Sequence, residues 1–345
     1  MAVGHREMRM PGRRGWSEVR RPLGALGIVC LLMAGCTAEG GEPDALVSPS
    51  PRGIFADVVG RIVYGHLRLR SGGIFAVDPM RPNDPEDRIL VSRRGGEPLG
   101  WSSDGSSLLI RRQVPDANGG IVDLALSILN ADGTETRVAR GGWITGSISP
   151  DGSQVVYSSL AGPIYTVDTR GGEPSLLLAR TRRSFPPSRP GGAESSFRTW
   201  LYNPTFSPDG TQIAYFDGMG DWGHSLRVMN ADGSGVRILI DQVPEEVGHV
   251  WNLVWSPDGS HLAFSAQEGG IWIVDVDGSE LTKAIRDGIN AFWSPDGSRI
   301  SYQTVFPPSG VLGTLETAAV DGTHVQRFGY GGSGPWNPVP LPQSR

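Results

Sequence analysis

A short turn recurs along this 345-residue chain and restricts its possible folds more than any other feature of the sequence. Four copies are an aromatic or aliphatic residue followed by Ser-Pro-Asp-Gly, and a fifth has Ser in place of Pro; they lie at 148–152, 206–210, 255–259, 293–297 and 101–105. Pro presets φ for the first corner, Asp can bond its own backbone two residues on, and Gly accepts the left-handed conformation that closes the turn. The sequence therefore predicts a tight β-hairpin at each copy.

Two apolar runs of strand length follow each turn. The first begins directly after the turn, as in 212–215 and 261–264, and the second ends in Asn or Asp, as in 226–230 and 271–275. An Asp-Gly turn and a last short strand complete the repeat, which is therefore predicted to be four strands joined by hairpins. Such a unit every ~40–50 residues is typical of a β-propeller, in which each repeat forms one blade.

The wording of the repeat resembles a known family. Trp-Ser-Pro-Asp-Gly at 255–259, the strand at 262–264, Ile-Trp-Ile-Val-Asp at 271–275 and the turn at 277–279 resemble the WD40-like (PD40) repeat of TolB-type β-propeller proteins. The resemblance covers most of the chain after about residue 57, and it implies an all-β propeller fold. That repeat occurs in interaction modules, transport factors and non-catalytic domains of peptidases, so the resemblance implies no single function.

The number of blades follows from the phase of the repeats. Residues 61–64 match the second strand of the other repeats and 74–78 match the third, but no Ser-Pro-Asp-Gly turn precedes residue 61. Pro-Trp-Asn-Pro at 335–338 resembles the start of a further copy. We therefore expect a six-bladed β-propeller of four-stranded blades over 57–345, in which a C-terminal strand closes the first blade.

The first 35 residues are predicted to be a bacterial lipoprotein signal peptide. A positive flank of four arginines, at 13, 14, 20 and 21, leads to an apolar run at 23–32 that is too short to span a bilayer. Met-Ala-Gly then leads to Cys36, which resembles the lipidated residue of such proteins. This implies an extracytoplasmic protein that is lipid-anchored to the bacterial cell membrane, with 36–56 as a flexible tether. An ordinary cleaved signal peptide and an uncleaved anchor are the alternatives.

Charge and cysteine content exclude several classes of function. The leader holds six Arg and two Glu, so the rest of the chain keeps 25 basic and 34 acidic residues, a net charge of −9. Nucleic acid is therefore excluded as a partner, because no excess of cations remains to contact phosphates. Cys30 lies in the leader and Cys36 carries the predicted lipid, so a disulfide and a thiol nucleophile are excluded from the propeller.

The longer connections are predicted to share one face of the propeller. In this fold the first-to-second and third-to-fourth strand turns lie on one face, here called the turn face. The second-to-third loops and the connections between blades lie on the other, here called the loop face. The longest loop-face segments are 111–123, 180–199, 217–224, 241–249 and 306–313. Long loops on a rigid scaffold commonly carry binding, so we expect the binding site there, although loop length can also drift without function.

Candidate ligand-binding residues lie at the starts of the first strands and beside them. Counting back from each turn, we expect amide and hydroxyl side chains to ring the mouth of the central channel and aromatic rings to stack on a ligand. An asparagine at a strand entry can instead bond nearby backbone, which is the structural alternative. The candidates are Thr145, Asn203, Asn252 and Asn290 for the ring, Trp200, Tyr202, Trp222 and Trp251 for stacking, and His224 and His249 on the loop face.

Catalysis has little support in the sequence. His66, His224 and His249 fall on the loop face near Asp and Glu residues, from which a metal- or His-dependent lyase could be built. No two of them have a short ligand spacing, and no nucleophile elbow or zincin motif occurs. The Asp-Gly pairs lie where hairpins need turn residues, without the spacing of a calcium loop. We therefore predict no catalytic residue, no metal and no cofactor.

The sequence as a whole predicts a monomeric, non-catalytic binding module at the cell envelope. Its ligand on the loop face would be a protein, a peptide or a glycan, because Trp, Tyr and Asn side chains suit all three. Two alternatives remain open. One is a polysaccharide lyase or hydrolase on the same scaffold. The other is a TolB-like component of an envelope transport complex, which only the family resemblance implies.

Overall fold

The computed structural model describes residues 53–65, 72–82, 84, 87–115, 121–159, 162–185, 195–219, 222–267, 270–306 and 311–339. These residues form 25 β-strands, of which 23 make up six blades, as the repeat predicts, and two form a separate hairpin. No α-helix occurs among them, and accordingly none of the described segments is a helix able to cross a membrane. The predicted leader, Cys36 and most of the tether lie outside the described residues.

Consecutive antiparallel strands make up each blade. Blade 1 has β1 (Ile62–Gly65), β2 (Ile74–Val77) and β3 (Ile89–Ser92). Blades 2 and 3 have β4 (Glu97–Trp101), β5 (Ser107–Pro115), β6 (Ile121–Asn130), β7 (Glu135–Gly141), β8 (Thr145–Ile148), β9 (Gln154–Ser158), β10 (Ile164–Asp168) and β11 (Ser175–Leu178). A separate two-stranded hairpin follows, with β12 (Arg182–Phe185) and β13 (Ser195–Arg198). Blades 4 to 6 have β14 (Trp200–Phe206), β15 (Gln212–Met219), β16 (Trp222–Asn230), β17 (Arg237–Ile240), β18 (Val250–Trp255), β19 (His261–Ala266), β20 (Ile271–Asp275), β21 (Thr282–Ile285), β22 (Gly288–Trp293), β23 (Arg299–Phe306), β24 (Val311–Ala319) and β25 (Gln326–Gly331).

The C-terminal segment supplies the missing first strand of blade 1. Trp336 forms an antiparallel bridge with Ile62. The amide of Val63 donates to the carbonyl oxygen of Pro335 at 3.0 Å, and the amide of Asn337 donates to that of Arg61 at 2.8 Å. The expected closure of the first blade by the C-terminus is therefore confirmed.

Six apolar clusters show that the ring is closed, because one cluster fills each interface between neighbouring blades. The cluster between blades 6 and 1 contains Leu315 and Phe328 from one side and Ile62 and Tyr64 from the other. Each sheet therefore buries both faces against its neighbours. This apolar burial stabilises a domain that has no cysteine and therefore no disulfide cross-link.

The second strand of each blade is apolar at consecutive positions because both of its faces are buried. Leu108 and Ile110 of β5 point into the cluster between blades 1 and 2, whereas Leu109 points into the cluster between blades 2 and 3. Alternation along the strand thus divides one apolar run between two interfaces. The first strands of neighbouring blades contact one another, so they lie at the centre of the ring.

Side-chain hydrogen bonds close the recurring turn. The Oγ of Ser256 donates to Asp258 Oδ1 at 2.6 Å and accepts from the amide of His261 at 2.9 Å. Asp258 Oδ1 also accepts from the amide of Ser260 at 3.0 Å, and Gly259 has φ +72°. Four other copies make the same Ser–Asp and Ser–amide bonds, centred on Ser102, Ser149, Ser207 and Ser294.

The packed chain begins before the expected end of the tether at residue 56. The amide of Ile54 donates to the carbonyl oxygen of Ala131 at 2.7 Å. Phe55 is only 5% exposed, and its ring meets the edge of the Trp101 ring at 4.8 Å between centroids. A short apolar pair directly before the propeller therefore belongs to the core between blades 1 and 2.

Candidate functional site

Three of the predicted ring residues share a left-handed backbone. Asn203, Asn252 and Asn290 have φ of +50°, +53° and +55°. Each lies where the pairing of the first strand with the second shifts by a residue, which is a β-bulge. Asparagine tolerates the left-handed region better than most residues. The repeated asparagine therefore has a backbone cause in addition to any ligand role.

Thr145 occupies a different position from the three asparagines. β8 pairs with β9 without a shift, so Thr145 is opposite Ser158. In blades 4 and 5 the second-strand positions equivalent to Ser158 pair with Tyr202 and Trp251. Counting from the turn aligned Thr145 with the asparagines only because blade 3 lacks the bulge residue. In register, Thr145 corresponds to the two aromatic candidates.

Hydrogen bonds join these first strands across the blade boundaries. The amide of Asn203 donates to Thr145 Oγ1 at 3.2 Å. The amide of Asn290 donates to Ser265 Oγ at 2.8 Å, and that hydroxyl donates to Asn252 Oδ1 at 3.4 Å. The side chains of Asn203 and Asn290 are half-buried, and their side-chain carboxamides make no hydrogen bond within the described chain. These carboxamides are available to a ligand, as the ring hypothesis requires.

Four of the predicted site residues meet at the loop-face end of the interface between blades 4 and 5. The hydroxyl of Tyr202 lies 2.5 Å from Nδ1 of His224. The His224 and His249 rings are 5.0 Å apart, and His249 also stacks on Tyr202 at 5.9 Å. Trp251 extends the group, with its ring 6.2 Å from that of His249. Residues distant in sequence thus form one aromatic layer.

The protonation of this layer follows from its surroundings. Burial, and then the negative charge of Asp217, raise the pKa of Tyr202 well above its usual value, so the phenol keeps its proton at neutral pH. A protonated phenol can donate to Nδ1 of His224 or accept a hydrogen bond from it, depending on the tautomer of the imidazole. His224 is 4% exposed, and Asp217 pairs with Arg227 at 3.1 Å. The aromatic layer therefore contributes more to packing beneath the loop face than to an exposed binding surface.

Two tryptophans at the loop-face starts of the first strands are exposed. Trp143 is 53% exposed and Trp200 is 40% exposed. Trp143 precedes Thr145 by two residues and Trp200 precedes Tyr202 by two, so the two residues hold equivalent positions in the sequences of neighbouring blades. Trp143 has φ +50°, a conformation that bulky residues rarely adopt and that concentrates at functional sites. Sequence analysis missed Trp143, whose signal was an aromatic residue after Gly141 and Gly142 at a strand entry.

The remaining candidates are less informative. The backbone of Trp222 pairs with Met219 in the hairpin of β15 and β16, and its side chain lies outside the described part of the chain, as does all of His66. Asp241, Glu245 and Glu246 are exposed on the connection between blades 4 and 5. Among the described residues, no three His, Cys, Asp or Glu side chains are grouped so that they could hold a metal ion.

A shallow cavity of about 330 Å³ lies on the turn face. Its walls are the neighbouring turns that contain Pro208 and Pro257, with Trp255 between them. The indole Nε1 of Trp255 donates to the carbonyl oxygen of Thr205 at 3.2 Å, which fixes the ring between blades 4 and 5. The cavity is therefore built from the residues that form the repeat.

Comparisons with known proteins agree with this architecture. No protein-family model and no curated protein matches the sequence. The solved structure of "putative TolB" from Agrobacterium tumefaciens matches with a TM-score of 0.50 and 20% identity, over 80% of this chain and 91% of that chain. The fold is that of a TolB-like β-propeller. At this identity the likeness shows the fold alone.

Two further solved structures are more distant. An oligogalacturonate lyase in complex with manganese has a TM-score of 0.44 and 15% identity, over 78% of this chain and 72% of that chain. An oligogalacturonate lyase from Vibrio parahaemolyticus has a TM-score of 0.45 and 14% identity with the same coverage. Such distances carry no argument about activity.

Proposed function

We propose that this protein is an exported, lipid-anchored β-propeller that binds a partner of the cell envelope through its loop face and performs no chemistry. The exposure of Trp143 and Trp200 at equivalent positions on neighbouring blades is the observation that supports this most. Large aromatic rings are enriched among the residues that dominate binding energy. The ligand is a protein, a peptide or a glycan.

The exposed rings contrast with the tryptophans of the turns. Trp101, Trp255 and Trp293 are half-buried and pack against the apolar clusters between blades. Trp143 and Trp200 make no such contribution to a cluster, and Trp143 also adopts a strained backbone. A ligand that covers both rings would remove apolar surface from water that folding leaves exposed.

The folded chain begins on the turn face of the propeller. Gly53 to Val58 pack beside Ala131, which lies next to the third-to-fourth strand turn of blade 2, so the chain enters the propeller on the turn face. The 16 residues between Cys36 and Gly53 extend over at most about 60 Å. The proposed tether to Cys36 would therefore attach on the turn face, at the end of the propeller opposite the proposed binding face.

Site-specific photo-crosslinking in intact cells tests the binding face. A photoreactive benzoylphenylalanine replaces Trp143 or Trp200 in separate variants, and a third variant carries it at Leu176, which is 58% exposed on the outer strand of blade 3. We expect a discrete crosslinked product from the two loop-face positions and none from position 176. Equal crosslinking at all three positions, or none at any, would contradict the proposal.

Membrane attachment has its own test. Cys36→Ser removes the only atom that can carry the proposed thioether-linked lipid, so the protein should move from the detergent phase to the aqueous phase on extraction. Cys30→Ser is the matched control, because that residue belongs to the segment proposed to be removed. Identical partitioning of the Cys36 variant and the unmodified protein would rule out lipidation at Cys36.

A polysaccharide lyase or hydrolase is the second candidate function. The hydrogen-bonded pair of Tyr202 and His224 beside His249 contains groups that can transfer protons. Turnover of an envelope or plant polysaccharide that disappears with His249→Ala, while the variant remains folded, would replace the binding proposal. If the crosslinked partner is a subunit of an envelope transport complex, the TolB-like alternative is supported instead.

A further inference from the structure

The hairpin of β12 and β13 stands outside the six blades. Its strands pair with each other from Arg182 opposite Arg198 to Phe185 opposite Ser195, and the amide of Thr199 extends the pairing to the carbonyl oxygen of Thr181 at 2.9 Å. Within the described chain no strand pairs with the outer edge of either. Such edges display unpaired backbone donors and acceptors, and a two-stranded sheet alone is only marginally stable.

The hairpin also concentrates positive charge. Arg182 and Arg198 are both exposed and lie directly opposite each other, an arrangement of like charges that destabilises a strand pair. Arg180 lies beside them, with its Nε donating to the carbonyl oxygen of Thr199 at 2.6 Å. None of these three guanidinium groups forms an ion pair with a described carboxylate. Three arginines without a partner among the described carboxylates, on a domain of net negative charge, favour an anionic ligand at this hairpin.

An exposed aromatic ring continues the patch. β13 ends at Arg198, and only Thr199 separates it from Trp200 at the start of β14. One segment of the loop face therefore carries an unpaired strand edge, then two guanidinium groups on opposite strands, and then an indole ring. A glycan can use the cations and the ring, but it has no amide backbone to pair with the edge. An extended peptide uses all three.

We propose that an extended acidic peptide segment of a partner protein adds to this hairpin as a third strand, with its carboxylates beside Arg182 and Arg198 and an apolar side chain on Trp200. Alternate residues of a strand share one face, so acidic residues at every second position would all lie on the face that carries Arg182 and Arg198. The acidic residue opposite this pair would lie beside one arginine and on the same side of the sheet as the other. Charge-assisted bonds to guanidinium groups would offset the repulsion between them. This inference names the ligand of the proposed binding face and rests on that proposal.

Fluorescence anisotropy with the full chain and a labelled peptide of alternating Glu and Val tests the inference. We expect saturable binding that weakens as salt is raised, because the arginines are exposed. The Arg182→Gln, Arg198→Gln double variant should lose about tenfold or more in affinity. Arg286→Gln, at an exposed position on the same face, is the matched control and should leave affinity unchanged.

Three further probes identify the mode of binding. A Lys-Val peptide of the same length should bind at least about tenfold more weakly because its charge is reversed. A Glu-Val peptide with alternate backbone amides methylated should also weaken, because it cannot complete a ladder. Hyaluronan oligosaccharides supply carboxylates without a peptide backbone. If they or the methylated peptide bind as tightly as the Glu-Val peptide, strand addition is wrong.

The outcome separates this inference from the proposed function. An unfolding transition of the double variant that matches the unmodified protein shows that lost affinity does not reflect unfolding. If the Glu-Val peptide fails to bind, the inference is overturned. Crosslinking through position 143 or 200 would then still support a binding face with a different ligand. If both tests fail, the proposed function falls with the inference.

Discussion

The amide of Asn337 donates a hydrogen bond to the carbonyl oxygen of Arg61 at 2.8 Å, joining the two ends of the folded chain. The same C-terminal segment is held from the other side, because the hydroxyl of Ser301 in blade 6 donates to the carbonyl oxygen of Gly334 at 2.9 Å. One short strand therefore connects blade 6 to blade 1, and ring closure depends on it.

Deletion of residues 334–345 should abolish cooperative folding. The truncated chain loses the first strand of blade 1 and exposes the cluster around Ile62 and Phe328, so its unfolding should become broad, and fluorescence and circular dichroism should give different midpoints. A chain that ends at Val339 keeps the strand and serves as the control. Identical sharp transitions for both truncations would show that the C-terminal strand contributes little to stability.

Substitution of Gly278 tests the contact between neighbouring blades. Gly278 has φ +89°, and a Cβ on this residue would overlap the carbonyl oxygen of Leu239 in the preceding blade. Gly172 also has a positive φ, but open space surrounds it. Gly172→Ala should cost about 1–2 kcal/mol from backbone strain, and Gly278→Ala about 1–3 kcal/mol more from the clash. Urea unfolding measures both; equal losses would mean that the blades separate easily.

The carboxylates of the recurring turn should make stability depend on acid. The hydroxyl of Ser256, followed by the hydroxyl and amide of Ser260, lowers the pKa of Asp258 from 3.8 to about 2. Because the folded-state pKa lies below the unfolded one, this stabilisation is complete above about pH 4 and is lost as the pH falls toward 2. Asp258→Asn should lessen the decline in urea unfolding midpoints over that range. Asp241→Asn, on an exposed loop, should not change it.

The fold could be predicted because the sequence repeats its local chemistry. Each Ser-Pro-Asp-Gly turn forms with bonds between adjacent residues, so its position and its strands follow from the chain alone. Closure was predictable for a similar reason, since Trp336 continues the phase of the repeats. The burial of Phe55 was not, because a single apolar residue before a repeat carries no periodic signal.

The site was predictable only in part. Phase predicts that His224 and His249 lie on the loop face, but it predicts neither their contact with Tyr202 nor the bulge, which adds one residue without changing the type of strand. That extra residue misaligned Thr145. The hairpin of β12 and β13 lies in a segment rich in Arg, Ser and Pro, whose strands alternate too weakly to be recognised.

Loss of one hydroxyl should destabilise the aromatic layer. Tyr202→Phe removes the hydroxyl that bonds Nδ1 of His224. Because His224 is only 4% exposed, its ring nitrogen would be left buried without this partner, which should cost about 1–3 kcal/mol in the free energy of unfolding. Tyr157→Phe is the control, because that ring packs between blades 2 and 3 and its hydroxyl makes no hydrogen bond within the described chain. It should change stability by less than about 0.5 kcal/mol. Equal effects in thermal unfolding would deny the Tyr202–His224 bond a stabilising role.

Glycine substitution separates the two explanations of the repeated asparagines. Asn290→Gly keeps the left-handed backbone at φ +55° and deletes a side chain that makes no hydrogen bond within the described chain, so stability should change by less than about 0.5 kcal/mol. Asn290→Ala retains a Cβ without the local polar group and should cost about 1–2 kcal/mol. If the amides also contact a ligand, glycine at positions 203, 252 and 290 together should abolish crosslinking from position 143 in a protein that unfolds normally. Undiminished crosslinking in that triple variant would assign the asparagines to the bulge alone.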